Sequence, residues 1–352
     1  MQRAVLNAVG QLALQECAPP VCPSDGLLMQ VAACAVCATD VKIFNHGHHL
    51  VRLPRVLGHE LAGTIAAVGE QWQGQYKPGQ RIAVCAVINC MECLYCQRGI
   101  PSMCENLEAF GYHYDGGYAE QMVIPAKAIR CGGVNLLPDT LAFDEASIAE
   151  LLACCINGQR LSGFALGQNV LIIGAGPVGI LQAKLARHHG ALRLALTDVD
   201  PQRLAEAVSI TSAQHTQALP MAPPADFIAR ANEFTDGRGF DQVMVCCGVA
   251  EAQQLALGCV AKCGCINFFG GLPAGNGPVA LDTNIIHYRQ CRVVGTHGSS
   301  ALENRLALEM IGAGLIDVAP LISRRIHLDA LEAALKPGPQ NRNQLKTVVT
   351  YS

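Results

Sequence analysis

The 352-residue chain is 51% hydrophobic and 15% charged with a formal net charge of -3, enough apolar mass for about two packed domains and little disorder. No long basic run appears, so nucleic acid and anionic membrane are excluded as expected partners. No apolar window approaches the roughly 18 residues of a membrane span, and the first twenty residues are broken by Asn7, Gly10 and Gln11. They read as strand, turn, strand rather than a signal peptide, and the expected compartment is the cytoplasm.

Up to about residue 145 the chain holds short strand-like runs at 27–33, 61–68, 81–86 and 117–124, separated by Gly, Pro and Asp, with no sustained helical pattern. A strand-rich, barrel-like unit is expected. From Asp144 to Gly158 the pattern is helical. Apolar strands at 169–173, 192–197, 241–246, 264–269 and 292–296 then alternate with helical segments, the signature of an α/β fold with a parallel sheet and crossover helices. After His297 the alternation stops. Residues 301–312 and 329–335 read as helices, 336–340 as a loop and 345–351 as a closing strand, so the C-terminal segment is expected to return to the first unit.

The first strand of the α/β half ends in Gly174-x-Gly176-x-x-Gly179, and an amphipathic run follows from Val178. Gly174 suits the turn, Gly176 admits a pyrophosphate against the main chain, and Gly179 lets helix and strand pack closely. With Pro177 and Val178 between them, these residues open a helix whose N-terminal N–H groups face the phosphates. Asp198 ends the next strand, 24 positions after Gly174. A carboxylate there accepts from the adenosine ribose hydroxyls and repels a 2′-phosphate, favouring NAD over NADP; alternatively it caps the helix beginning near Pro201.

Eighteen cysteines in a chain this large do not make a disulfide scaffold, because such a chain builds its core without staples. Most, including Cys246, Cys247, Cys259, Cys263 and Cys265, are scattered through apolar strands and read as small hydrophobes. Cys90-x2-Cys93-x2-Cys96-x7-Cys104 is different. Four thiolates within fifteen residues can close a tetrahedron around zinc and leave no position for substrate, so the role is structural.

A second group is dispersed: Cys37, His59, Glu60 and Glu150. Thiolate, imidazole and carboxylate all bind zinc, and three protein ligands with one exchangeable position make a catalytic site. Cys37 and Glu60 together balance the charge of Zn²⁺, so Glu150 fits better as a ligand that comes and goes, or that acts through water. Each residue singly also has a plain reading, as core filler, hydrogen-bonded core histidine or helix surface.

These groups occur in the order found in the zinc-dependent medium-chain dehydrogenases, and the sequence resembles that family over essentially its whole length. Gly58-His59-Glu60-x2-Gly63-x5-Gly69, Lys77-Pro78-Gly79-Gln80-Arg81 and Gly116-Gly117-Tyr118-Ala119-Glu120 carry the resemblance further, and within the family it is similar to the sorbitol/polyol and threonine dehydrogenase branch. Ala35, Ala38, Lys42 and Trp72 depart from the usual pattern. The resemblance implies a GroES-like catalytic domain of residues 1–148, a Rossmann domain of doubly wound parallel sheet at 149–296, and a return to the first domain at 297–352. It also implies two zinc ions per subunit and a homodimer or homotetramer joined near residues 285–296.

The reaction it implies is hydride transfer between a secondary alcohol and NAD, with Thr39 as first acceptor of the hydroxyl proton, passed on through the nicotinamide ribose to Lys42 or to solvent. Glu150 joins them as a catalytic residue. Further cofactor contacts are expected at Cys247-Gly248 and Gly270-Gly271, which end strands of the parallel sheet, and at Arg203, which either packs on the adenine, pairs with Asp198 or lies on a solvated helix face. The run Asn45-His46-Gly47-His48-His49 reads as a polar loop, with a metal-binding histidine cluster as the alternative; the resemblance places it near the mouth of the substrate pocket, and His113 and Tyr114 are further candidates for the lining. The expected substrate is a polyol, sugar or sugar derivative. An amino-alcohol such as threonine is the alternative, and a zinc-stabilised nucleotide-binding protein without catalysis is the reading from another class.

Overall fold

Leu27–Ala35 is the central strand of the N-terminal half, and its register determines which side chains meet beyond its end. It pairs antiparallel with Glu60–Val68, placing Ala35 opposite Glu60, and with Lys346–Thr350, placing Ala35 opposite Val348. The computed structural model describes residues 1–211, 216–273, 275–338 and 344–351. The chain divides into two units, Met1–Ala153 with Gly298–Ser352, and Cys154–His297.

In the first unit a seven-stranded sheet runs in the order Val134–Leu136, Arg81–Val84, Glu60–Val68, Leu27–Ala35, Lys346–Thr350 and Ile322–Ile326, with Gln121–Ile124 paired to Leu27–Ala35 off that path. The hairpin Gln2–Ala8 and Gln11–Glu16 forms a small second sheet with Arg55–Val56. Apolar side chains from these strands, Leu6, Leu27, Met29, Leu61 and Ile82 among them, close a core with Phe44, Phe110 and Tyr118. Burial of such side chains, each contributing about 1.5–3 kcal/mol, is what holds the short strands together.

The second unit is a six-stranded sheet, parallel throughout, in the order Thr216–Ala218, Arg193–Thr197, Asn169–Ile173, Phe240–Val245, Val260–Phe268 and Arg292–Gly295. By position along the chain this is 3-2-1-4-5-6, the doubly wound Rossmann order. Asn169–Ile173 is buried at every position, as a central strand covered on both faces must be.

Several expectations shift. Helix Ala38–His46 stands where no helix was expected. Its nine residues are too few to display an apolar period, and its start is set by Cys37, whose sulfur accepts from the Thr39 N–H while Asp40 accepts from the Cys37 N–H. Asn45 and His46 therefore end a helix, and only 47–49 of the expected polar loop is loop. The helix of 144–158 is two, Phe143–Ser147 and Ala149–Ser162, and the strand of 117–124 begins only at Gln121. Cys263 lies in the strand Val260–Phe268 as expected, but exposed, with φ 61, rather than in the core. In the loop expected at 336–340, residues 339 and 340 lie outside the described residues, and Lys336 follows the helix Leu331–Leu335. No helix among the described residues is long and apolar enough to cross a membrane.

Candidate active site

Cys37, His59 and Glu60 converge because two paired strand ends do. Cys37 follows the end of Leu27–Ala35, Glu60 begins the strand paired with it, and their ligand atoms, with that of His59, all lie within 4.8 Å of one another. Gly58 makes the approach possible. Its φ is 93, and a Cβ there would sit 2.7 Å from the Cys34 sulfur and 3.0 Å from the Tyr118 ring.

Each member of the trio is held by a neighbour that the sequence pattern did not single out. Asp40, fully buried on the first turn of Ala38–His46, accepts from the Cys37 N–H at 3.0 Å and the Tyr118 hydroxyl at 2.8 Å. Its other oxygen lies 3.4 Å from Nδ1 of His59, ion-pair distance without hydrogen-bond alignment. Burial alone would lower the His59 pKa, but Asp40 and Cys37 outweigh it and hold the imidazole well above its ordinary 6.5. Burial likewise works against the Asp40 carboxylate, and His59, Tyr118 and the Cys37 amide overcome it to bring its pKa below the ordinary value. Lys346, from the closing strand, donates to Oε2 of Glu60 and to the Val36 carbonyl at 3.0 Å. Glu60 and Cys37 keep that ammonium charged against the burial that would neutralise it. Asp40 had a sequence signal in its place three residues after Cys37. Lys346, 286 residues from Glu60, had none.

The arrangement fits a metal ion. Oε1 of Glu60 is buried without a hydrogen-bond partner among the described residues, Nδ1 of His59 faces Asp40 so that Nε2 serves the shared space, and sulfur, nitrogen and oxygen together are a zinc donor set. Glu150, half-buried in the first turn of Ala149–Ser162, is not in the 4.8 Å trio, yet its charge is felt at Lys346 and at Tyr112. Thr39 is half-buried beside Cys37, and Lys42 is exposed further along the same helix. Of the three polar side chains at 112–114, Tyr112 turns inward. Its ring centroid is 6.2 Å from that of His59 and 5.2 Å from that of His48, edge-on to each, and burial pushes its hydroxyl up to about 12. His113 instead accepts from the Ala109 N–H, and Tyr114 donates to Glu108.

The second constellation is equally compact. Sulfur separations of 3.4 Å for Cys90 and Cys104, 3.9 Å for Cys93 and Cys104 and 4.0 Å for Cys90 and Cys96 bracket the about 3.8 Å edge of a tetrahedron with zinc–sulfur bonds of about 2.3 Å. Backbone N–H groups of Glu92 and Cys93 pull the Cys90 thiol down to about 6, whereas burial pushes Cys104 up to about 12. Bound metal favours the thiolate at all four.

In the second unit Gly174 has φ 106, and a Cβ on Gly179 would fall 1.8 Å from the Gly174 carbonyl oxygen. Strand and helix pack that closely only without a side chain. A Cβ on Gly176 would meet nothing within 4 Å, and Gly176 caps the helix Pro177–His188, leaving open space before its N-terminal N–H groups. Val178 lies in the first turn of that helix. Asp198 accepts from the Ala175 N–H at 2.8 Å and from the Asp200 N–H at 2.9 Å, which ties it to the glycine turn. The cap of Pro201–Ile210 is Asp200, not Asp198. Arg203 lies half-buried in that helix's first turn. A Cβ on Gly270 would come within 2.5 Å of the Cys247 carbonyl oxygen and one on Gly248 within 2.7 Å of that of Gly271, so the two strand-end turns press backbone on backbone.

Residues 23–131 match the model of the alcohol dehydrogenase GroES-like domain, and residues 177–313 that of the zinc-binding dehydrogenases. A protein described as a zinc-binding dehydrogenase from Sinorhizobium meliloti 1021, solved bound to NADP, is 30% identical with a TM-score of 0.90 over 99% of each chain. The chain belongs to the zinc-dependent medium-chain alcohol dehydrogenase family. Within it, L-threonine 3-dehydrogenase of Chromobacterium violaceum is 29% identical, over 94% of this chain and 93% of that one. Sorbitol dehydrogenase of Bacillus subtilis is 27% identical, over 100% and 97%. This dehydrogenase is therefore an oxidoreductase of the zinc-dependent alcohol and polyol type, built from a GroES-like part and a Rossmann sheet.

Proposed function

We propose that the enzyme oxidises a secondary alcohol of a polyol, sugar or sugar derivative, with NAD as hydride acceptor. The supporting observation is the convergence of Cys37, His59 and Glu60 within 4.8 Å, with one Glu60 oxygen buried and unpartnered. Zinc held there supplies the Lewis acidity that lowers the pKa of the substrate hydroxyl, and the nicotinamide supplies the hydride-accepting carbon. The rest falls to the protein. Asp40 orients the His59 ring, and Lys346 fixes one oxygen of Glu60. Thr39, whose N–H donates to the Cys37 sulfur at 3.4 Å, takes the hydroxyl proton, and Lys42 or solvent receives it next. Cys90, Cys93, Cys96 and Cys104 hold the structural zinc.

In this reading residues 1–148 and 297–352 bind zinc and substrate, and 149–296 bind the dinucleotide; the two-unit division supports that assignment. The phosphates rest at Gly174, Gly176, Pro177, Val178 and Gly179, the adenosine ribose on Asp198 beside Arg203, and the nicotinamide half near Cys247, Gly248, Gly270 and Gly271. Arg292–Gly295 is an edge strand, which supports a homodimer or homotetramer joined near 285–296. Eighteen cysteines in a chain with two thiolate-bearing metal sites support a reducing compartment, the cytoplasm.

The test is a panel of polyols, inositols, sugar acids, sugar phosphates and amino-alcohols with NAD and NADP, scored by reduced cofactor. An amino-alcohol is the second reading, favoured by the similarity to threonine dehydrogenase, and turnover confined to threonine-like substrates would establish it. A nucleotide-binding protein without catalysis needs neither the trio nor Thr39, and an inert panel on zinc-loaded protein would point to it.

A further inference from the structure

The segment Phe110 to Tyr114 is a tight turn. Phe110 is buried, Gly111 has φ 77 with its N–H bonded to the Tyr114 carbonyl at 2.8 Å, and the His113 N–H donates to the Ala109 carbonyl at 3.0 Å. Such a turn presents its side chains in fixed directions. His113 and Tyr114 spend their polar atoms locally, on the Ala109 N–H and on Glu108. Tyr112 does not. Its ring is gripped edge-on between His59 and His48, and its hydroxyl, in the field of His59, Cys37 and Glu150, has no hydrogen-bond partner among the described residues. A half-buried phenol held rigidly beside the zinc donors, with one donor and one acceptor function unspent, is a recognition element for a hydroxylated molecule.

We infer that Tyr112 sets substrate specificity: its hydroxyl hydrogen-bonds a hydroxyl of the substrate other than the one being oxidised, so the site selects diols and polyols over monohydric alcohols. This rests on the proposed dehydrogenase reading. A monohydric alcohol leaves the Tyr112 hydroxyl without a substrate partner, whereas a neighbouring hydroxyl on a polyol supplies one. Edge-on contact with His59 also makes the ring a wall of the site, a role that phenylalanine at the same position would keep.

The experiment compares wild type with Tyr112→Phe, both zinc-loaded, on sorbitol, 2,3-butanediol and 2-butanol. Loss of one neutral hydrogen bond lowers kcat/KM for the hydroxylated substrates by about tenfold, while 2-butanol changes by less than about twofold. Zinc content and melting temperature stay unchanged. Calorimetric binding of sorbitol or 2,3-butanediol to the zinc-loaded protein without dinucleotide weakens by a similar factor, a readout independent of turnover. Equal effects on diol and monohydric alcohol, or none on either, overturn the role of Tyr112 and leave the dehydrogenase reading standing. A wild type that oxidises none of the three and binds neither polyol overturns both.

Discussion

Lys346 and Glu60 form a buried ion pair, with 4% and 0% of their side chains exposed, in which the Lys346 ammonium donates to Oε2 of the carboxylate. It changes the charge count of the site. Cys37 and Glu60 alone balance Zn²⁺; with Lys346 positive, there is room for one further carboxylate before the site turns negative. Asp40, paired with His59, is that carboxylate and closes the balance. The apposition follows from strand order, since Lys346–Thr350 lies next to Leu27–Ala35 and Glu60–Val68 on its other side.

Removing one member of a buried pair leaves the other charge uncompensated, typically at a cost of about 3–5 kcal/mol. Lys346→Met should therefore destabilise chelator-treated protein by about that amount. It should cost less with zinc bound, because the metal then faces Glu60. Urea unfolding of wild type and variant, with and without metal, measures the difference. Equal stability of chelated wild type and variant would show that the pair contributes nothing.

The two cysteine-bearing sites should fail differently. Cys96→Ser opens a thiolate tetrahedron that holds a 15-residue loop with little core of its own, and should lower the melting temperature. Cys37→Ser alters a sulfur beside a well-packed sheet and should abolish turnover with the fold kept. Metal content and melting temperature of both variants decide the matter. Identical losses of stability and of activity would contradict the division of roles.

In the proposed reading cofactor preference turns on Asp198, which accepts from the Ala175 and Asp200 amides. A 2′-phosphate would meet this carboxylate at close range, so kcat/KM with NAD should exceed that with NADP by at least about tenfold. Asp198→Ala should narrow the ratio. Wild-type enzyme with equal rates for the two cofactors sinks the assignment.

Much of this was legible in the sequence because it is local. The strand 169–173, the glycine turn and the four-cysteine loop each lie within a few residues of chain, and spacing alone carries their geometry. What escaped is long-range or too short to have a period. The nine-residue helix Ala38–His46 begins through side-chain contacts of Cys37 and Asp40 rather than through an apolar stripe. Lys346 reaches Glu60 only through strand register. Tyr112 differs from its neighbours His113 and Tyr114 in direction, which no composition encodes.

Glu108 gives a pH-dependent contribution. Burial raises its pKa, but the Lys127 ammonium at 2.8 Å and the Tyr114 hydroxyl at 2.9 Å outweigh this and hold it below the ordinary 4.5. A carboxyl depressed in the folded state adds stability above its unfolded pKa and loses it as pH falls through the folded one. Glu108→Gln should therefore lower the unfolding free energy at pH 7, by the modest amount of a third-exposed pair, less than about 1 kcal/mol, and the melting temperature with it. Below pH 4.5 the two proteins should converge. A difference that persists unchanged at pH 3 would assign the effect to packing.

Glu150 permits the sharpest statement. It stands in the first turn of Ala149–Ser162, outside the trio of ligand atoms, yet its charge acts on Lys346 and on Tyr112. A fourth protein ligand bound permanently would fill the position that a catalytic zinc keeps for substrate. With Lys346 positive and Asp40 negative beside Cys37 and Glu60, the charge of Zn²⁺ is already balanced, which favours a Glu150 that engages zinc only when substrate is absent, or through water, and yields when the alcohol enters. Glu150→Gln should keep zinc and lower kcat, because the amide fills the space without the charge. Glu150→Ala should lose more activity and surrender zinc to a chelator more readily. Zinc content by mass spectrometry beside steady-state kinetics tests both, and a Glu150→Ala enzyme with full kcat and unchanged chelator resistance would make Glu150 an ordinary helix residue.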